Sequence, residues 1–332
     1  VTQPRSRWVP VPWSDLPGWS QDRLFDAWNA WLRSCERPPP VFATLCDGVR
    51  QLSIAESDAQ RAWMQERLQP FRVESLQGEA NGLLTGYFEP TLEASRLPTA
   101  AFSVPLYQPP SSLAQRKPWF SRQEIDTQPQ AQAALQGRVI AYLANPVDAL
   151  VLQVQGSGRL LVAQPDGSLR WVRLGYAGSN DHPYRSPGRW LADQGLVKDA
   201  SWAGIKAWLA KNPQRQQELM WSNPRVVFFR EEPITEIDAT SGPRGAQGVA
   251  LTPGRSIAVD PLSIPYGTPV WLSSQGAPLP LQKLVLAQDT GNAISGAVRA
   301  DYFVGGSAEA AELAGRLRQP LQMWALWPKE AR

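Results

Sequence analysis

The chain has 332 residues, a formal net charge of +3, 43% hydrophobic residues and 19% charged ones, the make-up of an ordinary soluble globular protein. It exceeds the usual size of a single core, which points to two domains. Lys and Arg are scattered rather than gathered, so no nucleic-acid footprint is expected, and no apolar run reaches the roughly 18 residues of a membrane span. The lone histidine, His182, excludes a multi-histidine metal site and leaves little room for a Ser-His-Asp triad, so no metal or other cofactor is expected.

In chain order, Val1 in place of Met points to a targeting segment removed or omitted. Leu24, Phe25, Trp28, Trp31 and Leu32 form the stripe of an amphipathic helix over 20–34, with Ser20 as its cap. Cys35 and Cys46 flank the rigid Pro38-Pro39-Pro40; in an oxidising compartment they could close a small loop, and in the cytosol they would be plain thiols. A second helix starts at Ser57, where Gln60 completes a capping-box pattern, and buries Trp63 and Leu68. Strand patterns follow at 83–88, 139–143, 149–155 and 169–174, separated at 108–138 by loops with one short helix near Ser121. Helix signals return from Ser186 to Trp221, with Pro187 in a first turn and Ile205, Trp208 and Leu209 on one face. Strands resume at 225–230, 257–259, 269–272, 284–288 and 321–326, and Ser307 caps a helix over 308–317. The 31 prolines suit many short strands and loops. Fifteen tryptophans favour a carbohydrate ligand slightly, since sugar grooves use flat indole faces.

The chemistry concentrates in LVLAQDTGNAISGAVRADYFVGG, residues 284–306, which places Asp289 and Asp301 among glycines and apolar residues. A carboxyl with apolar walls and few charged neighbours tends toward the raised pKa that a proton donor needs. Each aspartate alone reads as a turn-capping residue; the pair reads as a site. Other clusters carry two readings each. Gly86-Tyr87-Phe88-Glu89-Pro90 is a ligand-lining aromatic turn or core aromatics at a strand end. Gln153-Val154-Gln155-Gly156-Ser157-Gly158 offers amides and a hydroxyl to sugar oxygens, or is a plain hairpin turn; a phosphate loop lacks its lysine. Asp260, before Pro261, ends a strand either at the site or in an Asx turn.

Taken together, LTGYFEP (84–90), VQGSG (154–158), GYAGSNDHPYRSPGRWL (175–191), NPRVVFFR (223–230), RSIAVDPLSIPYGTPVWL (255–272) and DTGNAISGAVRADYFVG (289–305) resemble, in order, the membrane-bound lytic transglycosylase A family of bacterial cell-wall enzymes. The resemblance implies a mainly β fold: a double-psi β-barrel catalytic domain from residues 1–87 and 230–332, with an inserted second β-barrel-like domain at 88–229 and peripheral helices. It further implies a peptidoglycan glycan strand as the partner, held in a groove between the domains. The bond cut would be the β-1,4 link between N-acetylmuramic acid and N-acetylglucosamine, leaving a 1,6-anhydro end. Asp301 falls on the family's catalytic acid and Asp289 on its second acid, which would shape the loop and raise the pKa of Asp301 by like-charge proximity. Tyr87, Gln155, Gly156, Ser157, Gly158, Tyr176 and Tyr184 would line the groove. Asp260, Gly291 and Ala293 would stand beside the acid, and Glu89 receives no catalytic role. Known members are outer-membrane lipoproteins, which implies an anchor upstream of Val1 on the periplasmic side. Two other readings are a non-catalytic peptidoglycan binder on this fold and an aspartic peptidase built on Asp289-Thr290-Gly291. The latter lacks a second triplet, with Asp238-Ala239-Thr240 the nearest miss.

Overall fold

In the computed structural model, which describes residues 2–234 and 241–329, the chain begins with two paired strands, β1 (Thr2–Gln3) and β2 (Ser6–Pro10). Helix α1 spans Phe25–Ser34, starting later than the stripe predicted. Its N-cap is Leu24, not Ser20, because Asp22 just before it is pinned: its carboxylate takes hydrogen bonds from Arg255 at 2.6 and 2.8 Å and from the Leu284 amide at 2.9 Å. Leu24, Ala27, Trp28 and Trp31 are buried, whereas Phe25 is 62% exposed. Short helices α2 (Pro40–Ala43) and α3 (Cys46–Gln51) follow, and a Cys35–Cys46 disulfide ties the end of α1 to the start of α3. Helix α4 (Ser57–Arg67) lacks the expected capping box. Ser57 is its first residue rather than its cap, and the Ser57 hydroxyl instead accepts the Leu24 amide at 3.1 Å. Strand β3 (Leu68–Glu74), which the sequence reading passed over, begins at Leu68; β4 (Gly82–Tyr87) comes next.

The following segment forms its own sheet, from β5 (Thr91–Ser95), β6 (Val104–Tyr107), β7 (Val139–Leu143), β8 (Gly158–Ala163), β9 (Leu169–Ser179) and β10 (Val227–Pro233), in the order β10-β9-β8-β5-β7-β6. Tyr107 of β6 packs into one cluster with Val226 and with Phe228 of β10, so the sheet rolls until its edges approach each other. Two helices, not one, occupy the polar stretch before β7: α5 (Arg122–Thr127), with a full capping box from Ser121 and Glu124, and α6 (Pro129–Leu135). The apolar run at 149–155 is not a strand but the body of helix α7 (Pro146–Gln155). Asn145 accepts the Val147 amide at 2.8 Å and Pro146 takes the first turn, start signals that outweigh an apolar run of ambiguous period. Helices α8 (Pro187–Asp193), α9 (Trp202–Lys211) and α10 (Gln216–Trp221) complete this part.

The chain then returns with β11 (Ser256–Val259), β12 (Pro269–Ser274), β13 (Leu281–Asp289), β14 (Arg299–Phe303), helix α11 (Ala308–Arg316), capped by Ser307, and β15 (Arg318–Pro328). Pairing runs β15-β12-β13-β11-β14-β4 and closes on itself because β4 also pairs with β15; β3, β2 and β1 extend from β15. Two of these pairs, β11 with β13 and β4 with β14, are parallel. The result is a closed six-stranded barrel of the double-psi kind, filled by Leu84, Ile257, Val270, Val285, Ala300, Tyr302 and Met323. Helix α1 packs outside it on Leu284 and Leu286. Two units result, Val1–Phe88 with Ile237–Arg332, and Glu89–Glu236. Most indoles serve these cores: Trp8, Trp28, Trp31, Trp119 and Trp271 are fully buried, and Trp171 is the one exposed tryptophan. Many of the tryptophans are thus packing residues.

Candidate active site

One row of register partners crosses five strands of the barrel. Asp289 on β13 lies beside Ala258 on β11, Ala258 beside Asp301 on β14, Asp301 beside Thr85 on β4, and Thr85 beside Arg318 on β15. Register partners present their side chains to the same face of a sheet. Their chain neighbours Leu84, Ile257, Ala300 and Tyr302 fill the interior, so this row faces out of the barrel.

Asp289 reaches that face through an irregularity. Val285 and Ala287 point inward, and strict alternation would send Asp289 inward too. The register between β11 and β13 slips between Ile257 and Ala258, leaving Gln288 as the extra residue and turning Asp289 outward. Gln288 is fully buried in that role: its side chain accepts from Ser256 at 2.5 Å and donates to Ala30 O at 2.7 Å and Ser34 Oγ at 2.8 Å. Across the single small residue Ala258, the two acidic Cα atoms stand about 10 Å apart, two strand spacings. Asp301 thus belongs to a strand, not to the glycine-rich loop in which the sequence placed it.

The two carboxyls are treated differently. Both oxygens of Asp289 are engaged: Oδ1 accepts the Ala246 amide at 2.9 Å and Oδ2 the Tyr87 hydroxyl at 2.9 Å. Burial still pushes this acid up to about 6, against the Thr290 and Ala246 amides and Tyr87, with a further push from Asp301. Asp301 is also raised by burial, with the Thr85 hydrogen bond and the Arg299 charge pulling the other way. Its Oδ1 accepts Thr85 Oγ1 at 2.6 Å, while Oδ2 has no protein donor among the described residues. The two acids repel one another, and the push from Asp301 on Asp289 is a small one beside burial. Tyr87 is buried, its ring 5.3 Å from that of Phe303, and burial next to both acids keeps its hydroxyl protonated well above the usual range.

Asp260 follows β11 and is structural in its contacts. It closes the Asx turn by accepting the Leu262 amide at 3.0 Å, takes the Gly296 amide at 2.9 Å, and pairs with Arg5 at 3.0 Å. Burial works against its charge, yet these partners hold its carboxyl below the usual range. The loop carrying Gly291 and the exposed Ala293 is thereby stapled at Gly296, while Thr290 Oγ1 donates to Val259 O at 2.8 Å. Residues that the sequence reading did not single out also belong here. Thr85, Arg299, Arg318 and Ala246 join through register or hydrogen bonds. Tyr266, raised by burial, feels Asp289 and Asp260. A hydroxyl and an aromatic inside LTGYFEP and IPYGT were the available signals.

The remaining expected groove residues lie on the other unit. Gln155 ends α7, Gly156 is its left-handed cap at φ 79, and Ser157 leads into Gly158 at the head of β8. This is a helix-to-strand turn, not a strand end or hairpin. Exposed Tyr176 extends β9 beside that turn, and Tyr184 is exposed in the loop before α8. Glu89 is buried in an ion cluster with Arg173 at 2.7 Å and Arg159 at 2.8 Å, which accounts for its acid structurally. Among the described residues no group of His, Cys, Asp or Glu is arranged to hold a metal ion, and no helix is long and apolar enough to cross a membrane. Asp238-Ala239-Thr240 lies outside the described residues. An aspartic peptidase needs two aspartates sharing a proton; Asp289 instead pairs with Tyr87 and Ala246, and Asp301 stands across another strand.

Comparison with known proteins identifies the relatives of this chain. Residues 83–230 match the MltA specific insert domain and residues 255–327 the 3D domain. The membrane-bound lytic murein transglycosylase A of Vibrio cholerae is 31% identical over 260 residues, covering 75% of this chain and 66% of that protein, so the match spans just under two thirds of its length. The Escherichia coli protein of the same name is 31% identical over 272 residues, covering 77% and 68%. Among solved structures, the lytic transglycosylase LtgG of Burkholderia pseudomallei is 40% identical, covers 98% of this chain and 96% of its own, and superposes with a TM-score of 0.68. E. coli MltA with bound chitohexaose is 25% identical over 99% of this chain and 95% of its own, with a TM-score of 0.75. The two domain matches and the likeness to relatives cover most of the chain, and the chain belongs to the MltA family.

Proposed function

We propose that this chain is a lytic transglycosylase that cuts the β-1,4 bond between N-acetylmuramic acid and N-acetylglucosamine in peptidoglycan and leaves a 1,6-anhydromuramic end. Family membership supports the coarser reading, a peptidoglycan-cleaving lyase. The finer reading rests on Asp301. It is the acid with one uncommitted oxygen, partly accessible, and burial raises it above the usual carboxylate value, against the Thr85 hydrogen bond and the Arg299 charge.

Protonated Asp301 gives its proton to the glycosidic oxygen as the C1–O bond to muramic acid breaks, so N-acetylglucosamine leaves with a free O4 hydroxyl. The muramic C6 hydroxyl then bonds to C1 and returns its proton to the Asp301 carboxylate. No water is consumed, and one carboxyl suffices where hydrolases need two. Asp289, saturated by Tyr87 and Ala246, is a positioning residue that holds the far side of the row. On the inserted unit, residues 89–236, we assign sugar contacts to Tyr176, Tyr184 and the Gln155–Gly158 turn. We also assign it to the periplasmic side of the outer membrane as a lipoprotein; the relatives' name supports membrane association, and the Cys35–Cys46 disulfide an oxidising compartment.

The test is mass spectrometry of muropeptides released from sacculi. The parent gives anhydro ends, and Asp301→Asn gives none while still binding glycan. Reducing muramic ends, or turnover by Asp301→Asn, refute the mechanism; a parent that binds sacculi and releases nothing is the non-catalytic binder.

A further inference from the structure

We propose that Arg318 and Arg299 form a subsite for a carboxylate carried by the glycan, so that the enzyme grips the acidic substituent of its substrate as well as the sugars. This deepens the transglycosylase reading and rests on it. Arg318 is the register partner of Thr85, which holds Asp301, and Arg299 lies two residues before Asp301 on the same face of β14. Arg299 therefore stands beside the acid on its own strand, and Arg318 two strands across, beyond Thr85 of β4. Arg318 is exposed, and Arg299 is half-buried with its Nη1 donating to the Ala300 carbonyl at 2.6 Å.

Neither guanidinium has a carboxylate ion-pair partner among the described residues, although most other arginines of the barrel unit do. The outward neighbours on β4 and β15 are Leu83, Thr85, Pro320 and Gln322, none of them acidic, and Gln322 is already bonded to Asn81 at 3.0 Å. Burial and the Arg318 charge both lower the pKa of Arg299, and Asp301 alone favours its charge. Two neighbouring cations with no ion-pair partner, whose acidic neighbour Asp301 is the group assigned to proton transfer, are best satisfied by an incoming anion. A planar guanidinium meets a carboxylate through two parallel hydrogen bonds, which makes this the fitting class of ligand. In peptidoglycan that group is either a peptide-stem carboxylate or, on stripped strands, the lactyl carboxylate of muramic acid.

The experiment measures binding in an Asp301→Asn background, so that no ligand is consumed. The ligands are chitohexaose (no carboxylate), amidase-stripped glycan strands and stem-bearing strands. Arg318→Gln and Arg299→Gln should each weaken a carboxylate-bearing ligand about tenfold more than chitohexaose. Arg318→Lys should recover part of that loss, and the difference should shrink at about 1 M salt, where screening reaches roughly 3 Å. A selective loss on stem-bearing strands assigns the contact to the stem; one confined to stripped strands assigns it to the lactyl group. Equal losses on all three ligands, or no loss on any, overturn the proposal. Failure of the transglycosylase reading would appear elsewhere, as absent anhydro ends from the parent enzyme.

Discussion

Asp289→Asn should make the barrel more stable at neutral pH while impairing turnover. Burial lifts this carboxyl from 3.8 to about 6. A folded-state pKa above the unfolded value means that the native state binds the proton more tightly. The associated stability is therefore complete below about pH 4 and is lost as pH climbs through 6. Converted at about 1.4 kcal/mol per tenfold in affinity, the loss is roughly 3 kcal/mol. The side chain is partly accessible, so solvent screening brings the expected figure to about 1–3 kcal/mol. Asparagine is the fair replacement, because its oxygen can still accept from Ala246 and its amide can donate to the Tyr87 oxygen. Urea unfolding of parent and variant from pH 4 to 8 should show a stability difference that grows in the variant's favour between 4 and 6 and then levels off. A difference independent of pH would refute the assignment of a strained, burial-raised acid at this position.

Four further outcomes follow from the same geometry. Thr85→Val removes the 2.6 Å hydrogen bond that favours the ionised form of Asp301; the alkaline limb of the pH–rate profile on sacculi should move upward, and an unmoved limb would separate Thr85 from the acid. Tyr87→Phe takes away a donor to Asp289, so kcat should fall about tenfold with little change in KM, read from the release of soluble muropeptides. Cys35→Ser with Cys46→Ser opens a loop of sequence separation 11 and should cost about 2–3 kcal/mol in denaturant unfolding while activity at 25 °C persists. Asp22→Ala leaves Arg255 buried and unpaired, and thermal unfolding should show a loss of about 3–5 kcal/mol.

The two aspartates stood out in the sequence because acids amid apolar and glycine residues contradict the surrounding pattern. Their arrangement was not. The run LVLAQD reads as a strand delivering an acid, and so it is, but the bulge at Gln288 that aims Asp289 outward depends on pairing with β11, which no local window contains. Thr85 and Arg318 escaped notice for the same reason, being joined to Asp301 only through register between distant segments. Asn145-Pro146 announced α7 plainly, yet the apolar residues after it also fit a buried strand. The tryptophans are ambiguous by nature, since a large flat side chain serves a core as readily as a sugar.

Barrel closure has a consequence for biogenesis. Thr85 emerges early from the ribosome, but its strand gains neither lateral neighbour until the residues of β14 and β15 have been made. Until then the row from Asp289 to Arg318 is not assembled, and a truncated chain lacks it. Under the proposed function, a chain that ends before Pro328 would be unable to cut, because the strand that closes the row is its last.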